Sequence, residues 1–347
     1  MPTLGIITGK ATSLVNVAND IAYAFRNKGY ETIVSVERII HFRAKEMFDK
    51  AIIFMVFDPF YIAPYLLNYL NYNRYGIKTV MYIDTAGKPK PYLIRDWMKK
   101  GIKYVSNSNF SRSMLVEAGI PVLDVVYHGI NLEDVEVVKN DAEDLKNEFK
   151  ERLGVNVLFG TVCTNHPKKN LRVFSNVVRK CVERLRDAGF VIVSKPEAEP
   201  LFKGVKNVVF DDSMGKMPRL ESLALIGSFD YLIHPSISEG FGMPVLEAQA
   251  FGVPPIHGDY APLTEISLKE ASLRVAISRI DFNNFEEGIF YKCHHYEVED
   301  MVEQVEKAYD IYNSMHEDYV EMSSKCLENA KRFDAKNIYL RLEKYIQ

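Results

Sequence analysis

The feature that most constrains this chain is an alternation that runs through it twice. In the first half, the segments "TLGIIT" (3–8), "ETIVSV" (31–36), "AIIFMVF" (51–57), "KTVMYI" (78–83), "KYVSNS" (103–108) and "LDVVYH" (123–128) read as strands. Helical patterns separate several of them: Leu14 to Lys28, ended by Gly29, then stretches around 61–75 and 109–118. A helix between two strands carries the chain back to the edge where the first strand began. Such strands therefore pair in parallel, which makes the chain α/β.

After "HGIN" the pattern breaks. Residues 132–153 are dense in charge and lack a strand signal, which predicts a linker or an exposed helix. A second series follows: strands at 155–161, 190–194, 206–210, 229–234 and 253–258, with helices near 170–188 and 218–227. The tail from Glu299 is helical, with Met301, Val302, Val305, Ala308, Tyr309 and Tyr312 on one face. The expected organisation is a first domain over 1–133, a linker over 134–153, a second domain over 154–331 and a terminal helix over 332–347. A length of 347 residues exceeds what one core commonly holds and suits two. Ligands of open parallel sheets bind outside the carboxyl ends of the strands, so a cleft between two such sheets is the expected site.

Composition narrows the function. A formal net charge of −3 leaves no electrostatic footprint for nucleic acid. Cys163, Cys181, Cys293 and Cys326 form no CxxC pair, which fits a reducing, cytoplasmic setting. The run Cys293-His294-His295 has no second ligand pair at metal spacing, so no metal is expected. The start, "MPTLGIITGKATS", lacks the cationic region of a signal peptide, and no window is apolar enough to span a membrane. Peripheral attachment to a membrane surface stays compatible with these observations.

One short stretch carries the chemistry. "SEGFGMPVLE" (238–247) follows the strand that ends near Ile233 and the turn His234-Pro235-Ser236. Pro244 suits the first turn of a helix, where its missing N–H costs nothing. Gly240 and Gly242 permit unusual backbone angles and close approach of a ligand. The N–H groups of Phe241, Gly242 and Met243 would then point out of a helix N-terminus, an arrangement that binds anions. Glu239 and Glu247 flank that anion position with acceptors for hydroxyl groups. By spacing alone, the same stretch also fits a glycine-rich turn with two solvated acids.

With its flanks, "HPSISEGFGMPVLEAQAFGVPPI" followed by Thr264-Glu265-Ile266 resembles the E-x7-E donor signature of retaining glycosyltransferases of family 4. "YHGIN" (127–131) and "GTVCTNHPKKNL" (160–171) are similar to further elements of that family, so the resemblance covers most of the chain. Only the E-x7-E region is highly specific. The resemblance implies a GT-B fold: two Rossmann-like, doubly wound parallel-sheet domains facing a central cleft, with 332–347 as a terminal helix that crosses back to the first domain. It implies a metal-independent hexosyltransferase that takes a nucleotide-diphosphate sugar, UDP- or GDP-linked, as donor and needs no cofactor. Glu239 would then touch donor-sugar hydroxyls and Glu247 the ribose, with Phe241, Gly242 and Met243 on the diphosphate. His234 and Glu265 would lie close by.

Charge on the leaving diphosphate must be stabilised, and Lys168 and Lys169 are the candidates. Lys169 matches the family's loop lysine, whereas the family's arginine position falls on Thr161 or Thr164. Two lysines at a helix start would oppose the helix dipole, which favours a functional reason for them. In the first domain, "TGKATS" (8–13) is not a P-loop, because Leu4 stands where a glycine is needed and Ala11 replaces Ser/Thr. Gly9 would instead let its loop approach phosphate or acceptor, and Asp84, at a strand end, would orient the acceptor hydroxyl. A turn-capping role explains Asp84 equally, and helix capping suffices for Asn107 and Ser108. Competing readings are a catalytically silent nucleotide-sugar-binding protein and an epimerase or phosphorylase of the same fold. The acceptor, whether glycan, lipid or protein, and the oligomeric state are not legible in the sequence.

Overall fold

In a computed structural model, residues 1–36, 41–286 and 288–347 are described. They divide into two units. The first is built on Met1–Asn131, with strands β1 (Thr3–Thr8), β2 (Glu31–Ser35), β3 (Lys50–Val56), β4 (Lys78–Asp84), β5 (Gly87–Pro89), β6 (Tyr104–Ser106) and β7 (Val122–Val125). Six of these form one parallel sheet in the order β2-β1-β3-β4-β6-β7. Helices α1 (Thr12–Asn27), α2 (His41–Met47), α3 (Pro59–Arg74) and α4 (Asn109–Glu117) connect them. Local chemistry starts two of these helices. The Asp58 carboxylate accepts the Phe60 N–H at 2.8 Å ahead of Pro59, and Ser108 Oγ accepts the Ser111 N–H at 3.0 Å.

The second unit comprises Leu132–Asp281 and Cys293–Arg332. It opens with α5 (Leu132–Val137) and α6 (Lys139–Leu153), so the charged stretch expected as a linker or an exposed helix is helical and part of this unit. The reason is a buried anion that local periodicity does not reveal. Asp230 is 1% exposed, and Lys146 and Lys150, one helical turn apart on α6, reach it at 3.6 and 2.8 Å. Its carboxylate also accepts the Leu158 N–H at 2.8 Å. Then come β8 (Val157–Val162), α7 (Leu171–Arg184), β9 (Ala188–Val193), β10 (Val208–Asp211), α8 (Arg219–Gly227), β11 (Tyr231–His234) and α9 (Met243–Ala250). After β12 (Pro255–Gly258) and α10 (Leu263–Ile266) follow β13 (Leu273–Val275), β14 (Arg279–Glu286), β15 (Ile289–His295), α11 (Val298–Ser314) and α12 (His316–Lys331). The second parallel sheet runs β10-β9-β8-β11-β12-β13. On α11, Met301, Val302, Val305 and Ala308 are buried as the periodicity predicts.

Residues Phe282–Lys292, expected in the second domain, belong to the first unit, and so does the terminal segment Phe333–Gln347. β15 pairs antiparallel with β5, Tyr291 opposite Gly87, in a three-stranded sheet ordered β14-β15-β5. The expected terminal helix is a short α13 (Ala335–Ile338) followed by a 3-10 segment, Tyr339–Tyr345. Ile130 bridges to Asp334, and fully buried Tyr339 packs on Tyr82 and His128 while its hydroxyl donates to the Gly129 carbonyl at 3.3 Å. Tyr339→Ala removes a large aromatic side chain from a filled core. It should cost about 3–5 kcal/mol, read by chemical denaturation of the full chain.

Candidate active site

The strand order of the second unit places two loops side by side. β8 and β11 are adjacent although far apart in sequence, and the chain leaves them towards α7 and α9 respectively. This is where connections from the first strand and from the later strands diverge, and ligands of such sheets bind at the carboxyl ends there. The loop after β8 carries Lys168 and Lys169. They lie in a 3-10 turn, Pro167–Lys169, rather than in the first turn of α7, and left-handed Asn170 links the two elements. The loop after β11 carries Ser238 to Gly242, all buried.

Three side chains converge where the loops meet. Lys169 Nζ donates to Glu239 Oε1, and the same oxygen accepts from His234 Nε2 at 3.0 Å. Glu239 is 6% exposed and His234 1% exposed. Burial alone would raise the Glu239 pKa, but Lys169 first, then His234 and Lys168, hold it well below the ordinary carboxylate range. Burial pushes the His234 pKa down despite the attraction of Glu239. A neutral ring facing a carboxylate must carry its proton on Nε2, because the carboxylate only accepts. Cys163, just after β8, is buried, and burial outweighs the pull of Lys169 and pushes its pKa up to about 11, which disfavours the thiolate.

The backbone of the β11 loop is held from outside. The carbonyls of Pro235, Ser236 and Ile237 accept, in turn, from Tyr296 Oη at 2.7 Å, Tyr260 Oη at 2.8 Å and the His294 N–H at 2.7 Å. The Ile237 N–H donates to the Lys168 carbonyl at 2.9 Å, tying the two loops together. The Tyr260 and His294 rings stack at 4.2 Å. Gly242, the cap of α9, has φ +101°, and a Cβ there would lie 2.5 Å from Leu263 Cδ2. A left-handed, tightly packed residue at this point fixes how the chain enters α9, whose second residue, Pro244, has no N–H and whose third, Val245, donates its N–H to the Gly242 carbonyl at 2.9 Å.

Glu247 is placed differently from Glu239. It lies on α9, 5% exposed, and Arg219 Nη1 donates to its Oε1. Arg219, the first residue of α8, is absent from the sequence-based candidates. A signal existed: it is a cation in a helix first turn, the argument already applied to the lysines. Glu265 sits half-buried on α10, beside the Leu263 that packs on Gly242. Gly9 and Asp84 belong to the first unit, Gly9 just after β1 and Asp84 as the last residue of β4. The Asp84 carboxylate accepts from Ser111 Oγ at 3.3 Å. Asn107 and Ser108 are buried, Asn107 with His128 at 3.1 Å and Ser108 capping α4.

The charged cluster sets a pH dependence. A folded pKa below the unfolded one means that the unfolded chain binds the proton first. For His234, stability is full above about pH 6.5 and declines as pH falls. His257, buried and pushed down to about 3, acts in the same direction. Glu239 adds a loss that begins only below about pH 4.3 and runs down through its depressed folded pKa. Denaturation midpoints should therefore fall from pH 7 to pH 5, by at most about 1.4 kcal/mol per pH unit for each group. His234→Gln, which keeps a donor towards Glu239, should flatten that limb.

The family profile described as "Glycosyl transferases group 1" matches residues 155–284. The uncharacterized glycosyltransferase 335 of Sulfolobus islandicus rod-shaped virus 1 is 31% identical over 341 residues, covering 97% of this chain and 98% of that one. The chain belongs to the group 1 glycosyltransferases. Among solved structures, a glycosyltransferase from Rickettsia africae superimposes with a TM-score of 0.71 at 15% identity, covering 99% of this chain and 97% of that one. HepE of Anabaena, solved with UDP and glucose, gives a TM-score of 0.68 at 11% identity, with 99% of each chain covered. The fold of this glycosyltransferase is GT-B. Within it, the family profile spans β8 to β14 and so contains every candidate of the second unit. Among the described residues, no helix of this glycosyltransferase is long and apolar enough to cross a membrane.

Proposed function

We propose that this glycosyltransferase belongs to the retaining family 4 type and moves a hexose from a nucleotide-diphosphate sugar to an acceptor hydroxyl without a metal. The observation that carries the reading is the buried Lys169–Glu239–His234 cluster set directly before the Gly242-capped N-terminus of α9. Cations and helix N–H groups converge there on one place, which suits a diphosphate that gains negative charge as its bond to the sugar breaks. The sugar C1–O bond to the phosphate breaks and a C1–O bond to the acceptor forms on the same face. The acceptor proton passes to the departing phosphate oxygen, so no strong protein base is needed. Lys169 and Lys168 stabilise the leaving group, and the N–H groups of Phe241, Gly242 and Met243 hold the diphosphate. Glu239 and Glu247 receive sugar and ribose hydroxyls, with His234 and Glu265 supporting them. Gly9 and Asp84 serve the acceptor side.

Because the Anabaena neighbour is solved with UDP and with UDP-glucose, UDP-sugars are the first donors to test, followed by GDP- and ADP-sugars. A bound donor raises the melting temperature by mass action. The expected result is a shift with one nucleotide series, and transfer or donor hydrolysis that is lost in Glu239→Gln. No shift with any series would overturn the reading. One feature favours a second reading, a nucleotide-sugar binder without turnover: by the family resemblance, the position of an arginine falls on a threonine, Thr161 or Thr164. A donor-induced shift without any product would select it.

A further inference from the structure

We propose that Asp281, Cys293 and His295 form a binding site for a divalent transition-metal ion of the zinc class. In sequence, Cys293 and His295 have no second pair of ligands nearby. Strand pairing supplies the missing partner. β14 and β15 are neighbours in the three-stranded sheet, and residues two apart on one strand share a face. The three side chains offer one ligand atom each, all within 4.8 Å of one another.

The donor set selects the ion. A thiolate, an imidazole and a carboxylate suit zinc or cobalt, whereas magnesium and calcium want oxygen ligands throughout. Tetrahedral bonds of about 2.0–2.3 Å put ligand atoms roughly 3.3–3.7 Å apart. His295 Nε2 and Asp281 Oδ1 are already 3.0 Å apart, so rotation of side chains closes the remaining gap. Cys293 is fully buried, while the side chains of His295 and Asp281 are 26% and 35% exposed, so the ion enters from the solvent side. Arg279 Nη2 holds the other oxygen of Asp281 at 3.2 Å, which orients the carboxylate without occupying Oδ1. On binding, the Cys293 thiol gives up its proton to solvent and the His295 proton moves to Nδ1, so about one proton is released per ion.

The place of the site gives it a role. His294, between two ligands, turns its ring to Tyr260 and donates its N–H to the Ile237 carbonyl. An ion on Cys293 and His295 would fix the strand end that braces the loop carrying Glu239. It is a structural site, and it does not depend on the transfer reading.

The test uses the full chain, stripped with a chelator and titrated with cobalt(II). The expected result is a near-ultraviolet thiolate-to-cobalt absorption band that saturates at one ion per chain, is displaced by zinc, and is absent in Cys293→Ser. Asp281→Asn and His295→Gln should each weaken cobalt binding at least tenfold. No band in the wild-type chain, or a band that persists in Cys293→Ser, would overturn the proposal. If Cys293→Ser does not fold, Asp281→Asn decides: unchanged cobalt affinity in that variant rejects the site.

Discussion

Lys169→Ala should lower turnover of the accepted donor by about 10²–10³, the usual loss when one group that stabilises developing charge is removed. The same change strips a buried carboxylate of its cation. Glu239 is 6% exposed, and Lys169 holds its pKa down more than any other group does. Breaking such a pair costs about 3–5 kcal/mol, because the remaining charge stays buried without its partner. Two measurements separate the effects. Glu239→Gln keeps the shape of the side chain and removes the charge, and Lys169, with 16% of its side chain exposed, can then turn towards water. That variant should lose activity with a smaller drop in stability than Lys169→Ala. If Lys169→Ala keeps turnover within a few-fold of the wild type, Lys169 does not serve the leaving group and the ion pair is purely structural.

Gly242→Ala should damage the same site through the backbone. The residue sits at φ +101° and ψ +50°, in left-handed space that costs an L-residue about 1–2 kcal/mol. Its new Cβ would also meet Leu263 Cδ2 at 2.5 Å, so α10 or the loop must shift. In the proposed site the N–H groups of Phe241, Gly242 and Met243 hold the diphosphate, so a shift of this loop should turn them away from it. The expected outcome is at least tenfold weaker donor binding, with a melting temperature lower by roughly 2–4 °C for each kcal/mol lost. Leu263→Ala in the same chain should relieve the overlap but not the left-handed strain, so recovery should be partial. Wild-type affinity and melting in Gly242→Ala would show that the loop does not need this geometry.

Much of the fold was legible because its signal is local. Apolar strands alternating with helices can be read one segment at a time, and the structure holds two parallel sheets with strands close to the expected ranges. The β14 strand, "RIDFNNFE", has alternating exposure that a period-2 reading could have found. The β5 strand of the same sheet, which pairs with β15, could not be found that way, since Gly87–Pro89 lies some two hundred residues earlier and is only three residues long. The stretch from Leu132 to Leu153 reads as a linker or an exposed helix because it is dense in charge and lacks a strand signal, and only the fold shows that two of its lysines reach Asp230.

The candidate site divides in the same way. The sequence by itself determined the α/β class, the glycine-rich turn after a strand, the helix that begins near Pro244 and the spacing of Glu239 and Glu247. Each of these depends on residues within a few positions of one another. The tertiary structure decided which charges meet: Lys169 with Glu239 across 70 positions, and Arg219 with Glu247 across 28. Those pairings follow from β8 lying beside β11 and from α8 and α9 packing together. Hydrophobic period specifies which face of an element is buried, but not which neighbour covers it. The partner of a buried charge is therefore set only when the strands have found their order.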